Sequence, residues 1–132
     1  MPAGKLNLYI EAGASYSKTF AFTDSQNAPL NFVGYLFRAQ LRQTPHAGVG
    51  YTFTCTYQDN DPSTGIVEIS MTATETKLIP CGDSIKDSDS LYYWSLEKYV
   101  DVPDADDIFV DRVLEGTAII SAEVTQEVSP YV

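Results

Sequence analysis

The segment YLFRAQLR, residues 35–42, alternates apolar and polar side chains with a period of two. Its odd-numbered residues are apolar and would share one face of an extended chain, whereas its even-numbered residues after Leu36 are polar. Such a segment predicts a strand with one face in a core and the other facing solvent. The fold therefore begins with a half-buried sheet.

The same period continues on both sides of this segment. Residues 51–57, YTFTCTY, alternate in the same way after a Pro/Gly loop at residues 45–50, so the two segments predict a hairpin. A short helical turn is predicted where Thr72-Ala73-Thr74-Glu75 forms a capping box and Pro80 ends the run. Further strands are predicted at Leu6–Ile10, Tyr16–Phe22, Ile66–Ser70, Leu91–Tyr99, Phe109–Leu114 and Thr117–Val124, the last two hinged near Gly116.

About eight short strands with regular turn signals favour an all-β antiparallel sandwich or barrel. The 132 residues fit one domain, with its core at about residues 6–125 and short arms at Met1–Lys5 and Gln126–Val132. Turn residues separate the strands; an example is Asp24–Pro29, where Asp, Asn and Pro favour a tight reversal.

The chain is acidic, with a formal net charge of −10 and a pI of about 4.2. Nucleic acid and anionic membranes are therefore disfavoured as partners, because both need a basic surface. No apolar run approaches the length of a membrane span. The first ten residues lack the basic start and apolar core of a signal peptide, which predicts a chain that begins in the cytosol.

Catalytic chemistry has little support in the sequence. The one histidine, His46, lies in a loop; no Gly-x-Ser-x-Gly elbow is present; and the two cysteines, Cys55 and Cys81, do not form a zinc pattern. Free buried thiols are favoured over a disulfide between them. We therefore predict a protein that is not an enzyme, with no catalytic residues, no metal ligands and no cofactor.

Carboxylates and aromatic residues leave two other functions open. A hydrolase would need two carboxylates in one cleft, one of them with a raised pKa, and Glu68, Glu97 and Glu115 are the candidates in or beside strands. A carbohydrate-binding module would need an exposed aromatic cluster, for which Tyr9, Tyr92 and Tyr99 are candidates. Loop aspartates, none in a calcium-loop pattern, occur at Asp59/Asp61, Asp83/Asp87/Asp89 and Asp101/Asp104/Asp106/Asp107.

Arg38 and Arg42 lie on the polar face of the predicted strand at residues 35–42. They can pair with acidic residues on a neighbouring strand or with the carboxylates of a partner, and pairing within the chain is expected because the chain is so short of positive charge.

In order and spacing, the landmarks resemble a group of small tailed-phage virion proteins, related in pattern to the N-terminal domain of phage baseplate proteins. The motifs that carry the resemblance run from about Leu6 to Thr125. They are Leu6–Gly13, Thr19–Asp24 with Ala28-Pro29-Leu30, Gly34–Arg42, Thr74–Pro80, Tyr92–Glu97, Arg112-Val113-Leu114-Glu115-Gly116 as a closing hairpin, and Glu123-Val124-Thr125.

The resemblance implies an Ig-like β-sandwich and a structural role in the virion. The expected function is a docking or adaptor module of the phage tail, baseplate or neck, assembled in the host cytoplasm through sheet edges and terminal arms. The expected partners are other virion proteins, in multiple copies at symmetric sites. A capsid decoration protein and a carbohydrate- or receptor-binding module are the alternatives.

Overall fold

The computed structural model describes residues 4–43, 50–80, 89–100 and 110–121. Within these ranges the chain forms eight strands and one α-helix, which confirms the all-β class. Two short 3₁₀ turns, Gln58–Asn60 and Pro62–Thr64, lie between the fifth and sixth strands. The strands are β1 Gly4–Lys5, β2 Leu8–Glu11, β3 Tyr16–Ala21, β4 Tyr35–Arg42, β5 Tyr51–Tyr57, β6 Ile66–Met71, β7 Asp89–Val100 and β8 Val110–Ser121, and the helix is α1 Ala73–Lys77.

The strands follow the order β1-β8-β7-β4-β5-β6-β3, and β2 continues from β1 along the same side of β8. Both β1 and β2 run parallel to β8, whereas the other strand pairs are antiparallel. The sheet is therefore mixed. The expectation of a purely antiparallel arrangement is wrong at the N-terminal strands.

The sheet curls into two layers because β5 changes partners along its length. Residues 51–53 pair with β4, and residues 54–57 pair with β6. The predicted hairpin of β4 and β5 is thus confirmed, although only three residue pairs join the two strands. Apolar side chains from both layers fill one core, among them Ile10, Leu41, Ile69, Leu96 and Ile120, each at most 1% exposed.

Helix α1 begins with the capping box that the sequence predicts. The Glu75 N–H donates to the Thr72 hydroxyl and the Thr72 N–H donates to the Glu75 carboxylate, at 3.1 and 2.8 Å. The buried Thr76 hydroxyl accepts from the Gly13 N–H and donates to the Ala14 carbonyl. These two bonds fasten the helix to the turn that follows β2.

Gly116 lies in the middle of the unbroken strand β8, so the prediction of two strands or a hairpin there is wrong. In the sheet register Gly116 is opposite Trp94 of β7. A Cβ atom on Gly116 would lie 1.9 Å from the Leu6 carbonyl oxygen. That carbonyl accepts a 2.8 Å hydrogen bond from the indole N–H of Trp94, and the Trp94 side chain is buried. The glycine is thus required for a close approach and not for a turn.

We predict that Gly116→Ala lowers the free energy of unfolding by about 3 kcal/mol, because the methyl group displaces the Leu6 carbonyl and leaves the buried indole N–H unpaired. Urea unfolding measures the loss, and the indole N–H resonance of Trp94 reports the broken bond. Gly4→Ala is the matched control, since its Cβ would be 3.0 Å from the end of the flexible Leu114 side chain and at an ordinary contact distance of 3.7 Å from the Val113 carbonyl oxygen. Equal stability of the two variants would contradict the assignment.

Candidate functional site

The outer side of β2 is an open sheet edge. The Leu6 and Ala12 N–H groups donate to the Glu115 and Ser121 carbonyls of β8, both at 2.9 Å. Because alternate residues of a parallel strand bond to the same neighbour, residues 6, 8, 10 and 12 face β8, and the backbone groups of Asn7, Tyr9 and Glu11 point away from it. Of these, the Glu11 carbonyl accepts from the Ala14 N–H at 3.2 Å. Within the described ranges no strand pairs with that side. We call it the free edge.

An apolar row crosses the sheet beside the free edge. The Tyr9 side chain is 69% exposed and lies in register with Ile119 of β8, which in turn pairs with Leu91 of β7, 52% exposed. We call Tyr9, Ile119 and Leu91 the apolar row. Exposed apolar side chains next to unpaired backbone groups are a feature of surfaces that other chains cover.

Strand β3, at the opposite end of the strand order, is protected in a way that β2 is not. The Phe22 N–H donates to the Gly65 carbonyl at 2.8 Å. The backbone groups of even-numbered residues of β3 therefore point to β6, and those of odd-numbered residues point away from it. The side chains of Lys18 and Phe20 project from the same face of the sheet. The Phe20 ring stacks on Trp94 in the core, yet Lys18 is exposed. An inward-pointing lysine on an edge strand opposes the addition of another strand.

The outer face of the layer formed by β1, β8, β7 and β4 carries an open groove of about 530 Å³. The small side chain of Ser95 lies in register between Gln40 of β4 and Glu115 of β8. Four cations and two carboxylates border this region, and we call them the basic face. They are Lys5, Arg38, Arg42, Arg112, Glu97 and Glu115.

The charges of the basic face are fixed by contacts with one another. Glu115 accepts hydrogen bonds from Lys5 and, at 3.1 Å, from Arg112. The Arg38 Nε donates to Glu97 at 2.8 Å, which confirms the expected pairing with a neighbouring strand, and its guanidinium lies 5.0 Å from the centre of the Tyr99 ring. The Arg42 Nη2 donates to the Gln40 side-chain oxygen at 3.2 Å.

The structure brings two of the three candidate carboxylates together. Glu97 and Glu115 both border the groove, whereas Glu68 lies on β6. Hydrogen bonds from Lys5 and Arg112 hold the pKa of Glu115 below its ordinary value. A glycosidase needs one carboxyl group with a raised pKa as its acid, and Glu115 has the opposite shift.

The three tyrosines that would have formed a carbohydrate platform do not cluster. Tyr92 is buried and its hydroxyl donates to the Pro80 carbonyl. Tyr9 is in register with Ile119 near the end of β8, and Tyr99 pairs with Val110 at the start of the same strand. The aromatic arrangement expected of that module is therefore absent from these positions.

Cys55 is a free, half-buried thiol in the cleft where β4 and β5 diverge. Burial raises its pKa to about 11, as expected for a packing residue and not for a nucleophile. Among the described residues there is no group of three or more metal-binding side chains. His46, Cys81 and the aspartates at 83, 87, 101, 104, 106 and 107 lie outside the described residues.

Sequence reasoning placed Arg38 and Arg42 on one polar face but missed the pairing of Arg112 with Glu115, because a β-bulge creates this part of the basic face. Leu96 pairs with Leu114, but Glu97 pairs with Arg112, so Val113 is an extra residue in β8. The bulge brings Arg112 within hydrogen-bonding distance of Glu115, whereas a regular strand would direct residues three apart to opposite faces. No sequence signal marks this bulge.

Comparisons with known proteins assign no family to the chain. No protein-family model matches it, and no curated protein matches it. One similar solved structure is AggA, the major subunit of aggregative adherence fimbriae type I from Escherichia coli, at 11% identity and a TM-score of 0.30 over 92% of this chain and 91% of AggA. Within the described residues, no helix is both long and apolar enough to cross a bilayer.

The expected function as a phage tail, baseplate or neck module is corrected by this comparison, since the structural neighbour is a bacterial fimbrial subunit and not a phage component. At a TM-score of 0.30, no function is transferred from the neighbour to this chain. The resemblance to phage virion proteins stays a prediction that these comparisons do not test.

We predict that Glu115 adds a pH-dependent part to the stability. Because its pKa is lowered in the folded chain from 4.5, the contribution is complete above that value and is lost as the pH falls through the folded pKa. In urea unfolding, the difference between the original chain and Glu115→Gln should therefore shrink as the pH falls from 6 to 3. A carboxyl carbon resonance of Glu115 that titrates at 4.5 or above would contradict this.

Proposed function

We propose that this chain is a non-catalytic structural subunit that associates with further copies of itself by accepting a strand at the free edge of β2. The observation that carries the proposal is the set of outward-pointing backbone groups of Asn7 and Tyr9 and the Glu11 N–H, beside the apolar row, of which Tyr9 and Leu91 are exposed. In strand addition, main-chain hydrogen bonds supply affinity and alternate side chains supply specificity.

The free energy available from strand addition at the free edge is small for each copy. Each new main-chain hydrogen bond contributes about 1 kcal/mol net, and covering apolar surface adds about 25 cal/mol per Å². Within β2, only the Tyr9 N–H and carbonyl and the Glu11 N–H are directed to a partner, because the Glu11 carbonyl accepts from the Ala14 N–H, so few bonds form per copy. Such a contact gains strength when many copies bind side by side.

The difference between the two edges supports β2 as the binding strand. Lys18 of β3 projects from the inner face of the sheet. An added strand would bury its charge without supplying a carboxylate to pair with it. The inward-facing residues of β2 are Leu8 and Ile10, both buried, so an added strand meets no inward charge there.

A structural role also suits the chemistry of the groove. The two carboxylates that border it are bonded to Arg38, Lys5 and Arg112, and the single described thiol has a raised pKa. These groups are held as packing and ion-pair partners, in arrangements that do not prepare an acid or a nucleophile.

We predict that Tyr9→Pro weakens self-association about fivefold relative to Tyr9→Thr. Both variants remove the aromatic ring, but only proline removes the outward N–H, and one main-chain hydrogen bond of about 1 kcal/mol corresponds to about a factor of five in the association constant. Sedimentation equilibrium over a concentration series measures the association constants. The fold should survive in both, because the alternation along β2 directs that N–H away from β8.

Thr19→Pro tests the opposite edge, since the Thr19 backbone also points outward, on β3. It should leave association unchanged. Equal association of Tyr9→Pro and Tyr9→Thr, or a loss in Thr19→Pro alone, would refute the proposal.

A further inference from the structure

We infer that the basic face binds the acidic surface of a neighbouring copy, so that assembly is head-to-tail and controlled by ionic strength. This inference rests on the proposed function, because it names the second surface through which two copies meet. The face and the free edge are continuous: Lys5 belongs to β1, and β1 and β2 lie one after the other along β8.

The distribution of charge identifies the occupant. The chain has 8 basic and 18 acidic residues, and the basic face holds four of the first and two of the second. The remainder of the chain therefore has four basic and 16 acidic residues. Two copies with this excess of negative charge repel one another, and a basic face against an acidic part of the neighbour is the arrangement in which their charges attract.

The cations of this face are held in place before a partner arrives. The Arg42 guanidinium lies against Gly50. A Cβ atom added to Gly50 would be only 3.0 Å from the Arg42 Cζ atom. Arg38 is fixed by Glu97 and by the Tyr99 ring. Guanidinium groups bind carboxylates with two parallel hydrogen bonds, and their fixed positions reduce the entropy lost on binding.

The geometry of assembly follows from the use of two unlike surfaces. A twofold dimer joins the same patch on both copies, whereas a basic face that meets an acidic surface joins different patches. Such contacts repeat from copy to copy until they close a ring or extend as a filament. Assembly should therefore continue beyond the dimer as concentration rises.

Sedimentation velocity of the full chain at 20 and 500 mM NaCl tests the inference. The association constant of the original chain should fall about tenfold or more at high salt, because the Debye length shrinks from about 20 Å to about 4 Å. Arg42→Gln should weaken association about fivefold at low salt. Lys77→Gln is the matched control: it removes one positive charge from exposed Lys77 on α1, outside the face, and should have little effect.

The outcomes separate this inference from the proposed function. Three results would overturn the basic face as the contact: association that is insensitive to salt, equal effects of Arg42→Gln and Lys77→Gln, or a dimer that does not assemble further. The difference between Tyr9→Pro and Tyr9→Thr would still test the free edge. A chain that stays monomeric at millimolar concentration in 20 mM NaCl would overturn both.

Discussion

The hydrogen bond from the Trp94 indole to the Leu6 carbonyl, which passes over Gly116, is the interaction on which the arrangement of the sheet depends. It joins the N-terminal segment at Leu6 to Trp94 of β7 and is partly buried. A buried indole N–H without a partner costs free energy, so the N-terminal segment is held at this position and in this register. On both sides of this attachment the segment runs parallel to β8.

The consequences of that attachment extend to the proposed interaction surface. Once Leu6 is fixed, alternation along the strand directs Leu8 and Ile10 into the core and the backbone of Tyr9 and Glu11 outward. Lys5 is then beside Glu115, where it completes the cluster with Arg112. The free edge and the basic face are therefore two results of one local constraint.

The parts of the fold that follow from local patterns could be predicted from the sequence. Period-two alternation identified β4 and β5, and the capping box at Thr72 identified α1, because both signals depend on neighbours in the chain. Gly116 misled the prediction because a glycine that admits a distant carbonyl looks the same in sequence as one in a turn. The pairing of Arg112 with Glu115 depends on a bulge, which no periodicity reveals.

Function was harder to predict for the same reason. The motifs behind the resemblance to phage virion proteins are mostly turn and strand residues, which specify how a chain folds and not what it binds. The surface proposed here is defined by backbone direction and by exposure, two properties of the assembled sheet. Of the side chains along the free edge, only Tyr9 was singled out from the sequence, and there as a candidate for carbohydrate binding.

The most direct test of the free edge is residue-resolved hydrogen exchange by NMR, at a dilution where the chain is monomeric. The account predicts strong protection of the Leu8 and Ile10 amides, which face β8, and exchange near the unprotected rate at Tyr9 and Glu11. Equal protection of all four amides would contradict it, since the outer side of β2 would then already be paired within a single chain.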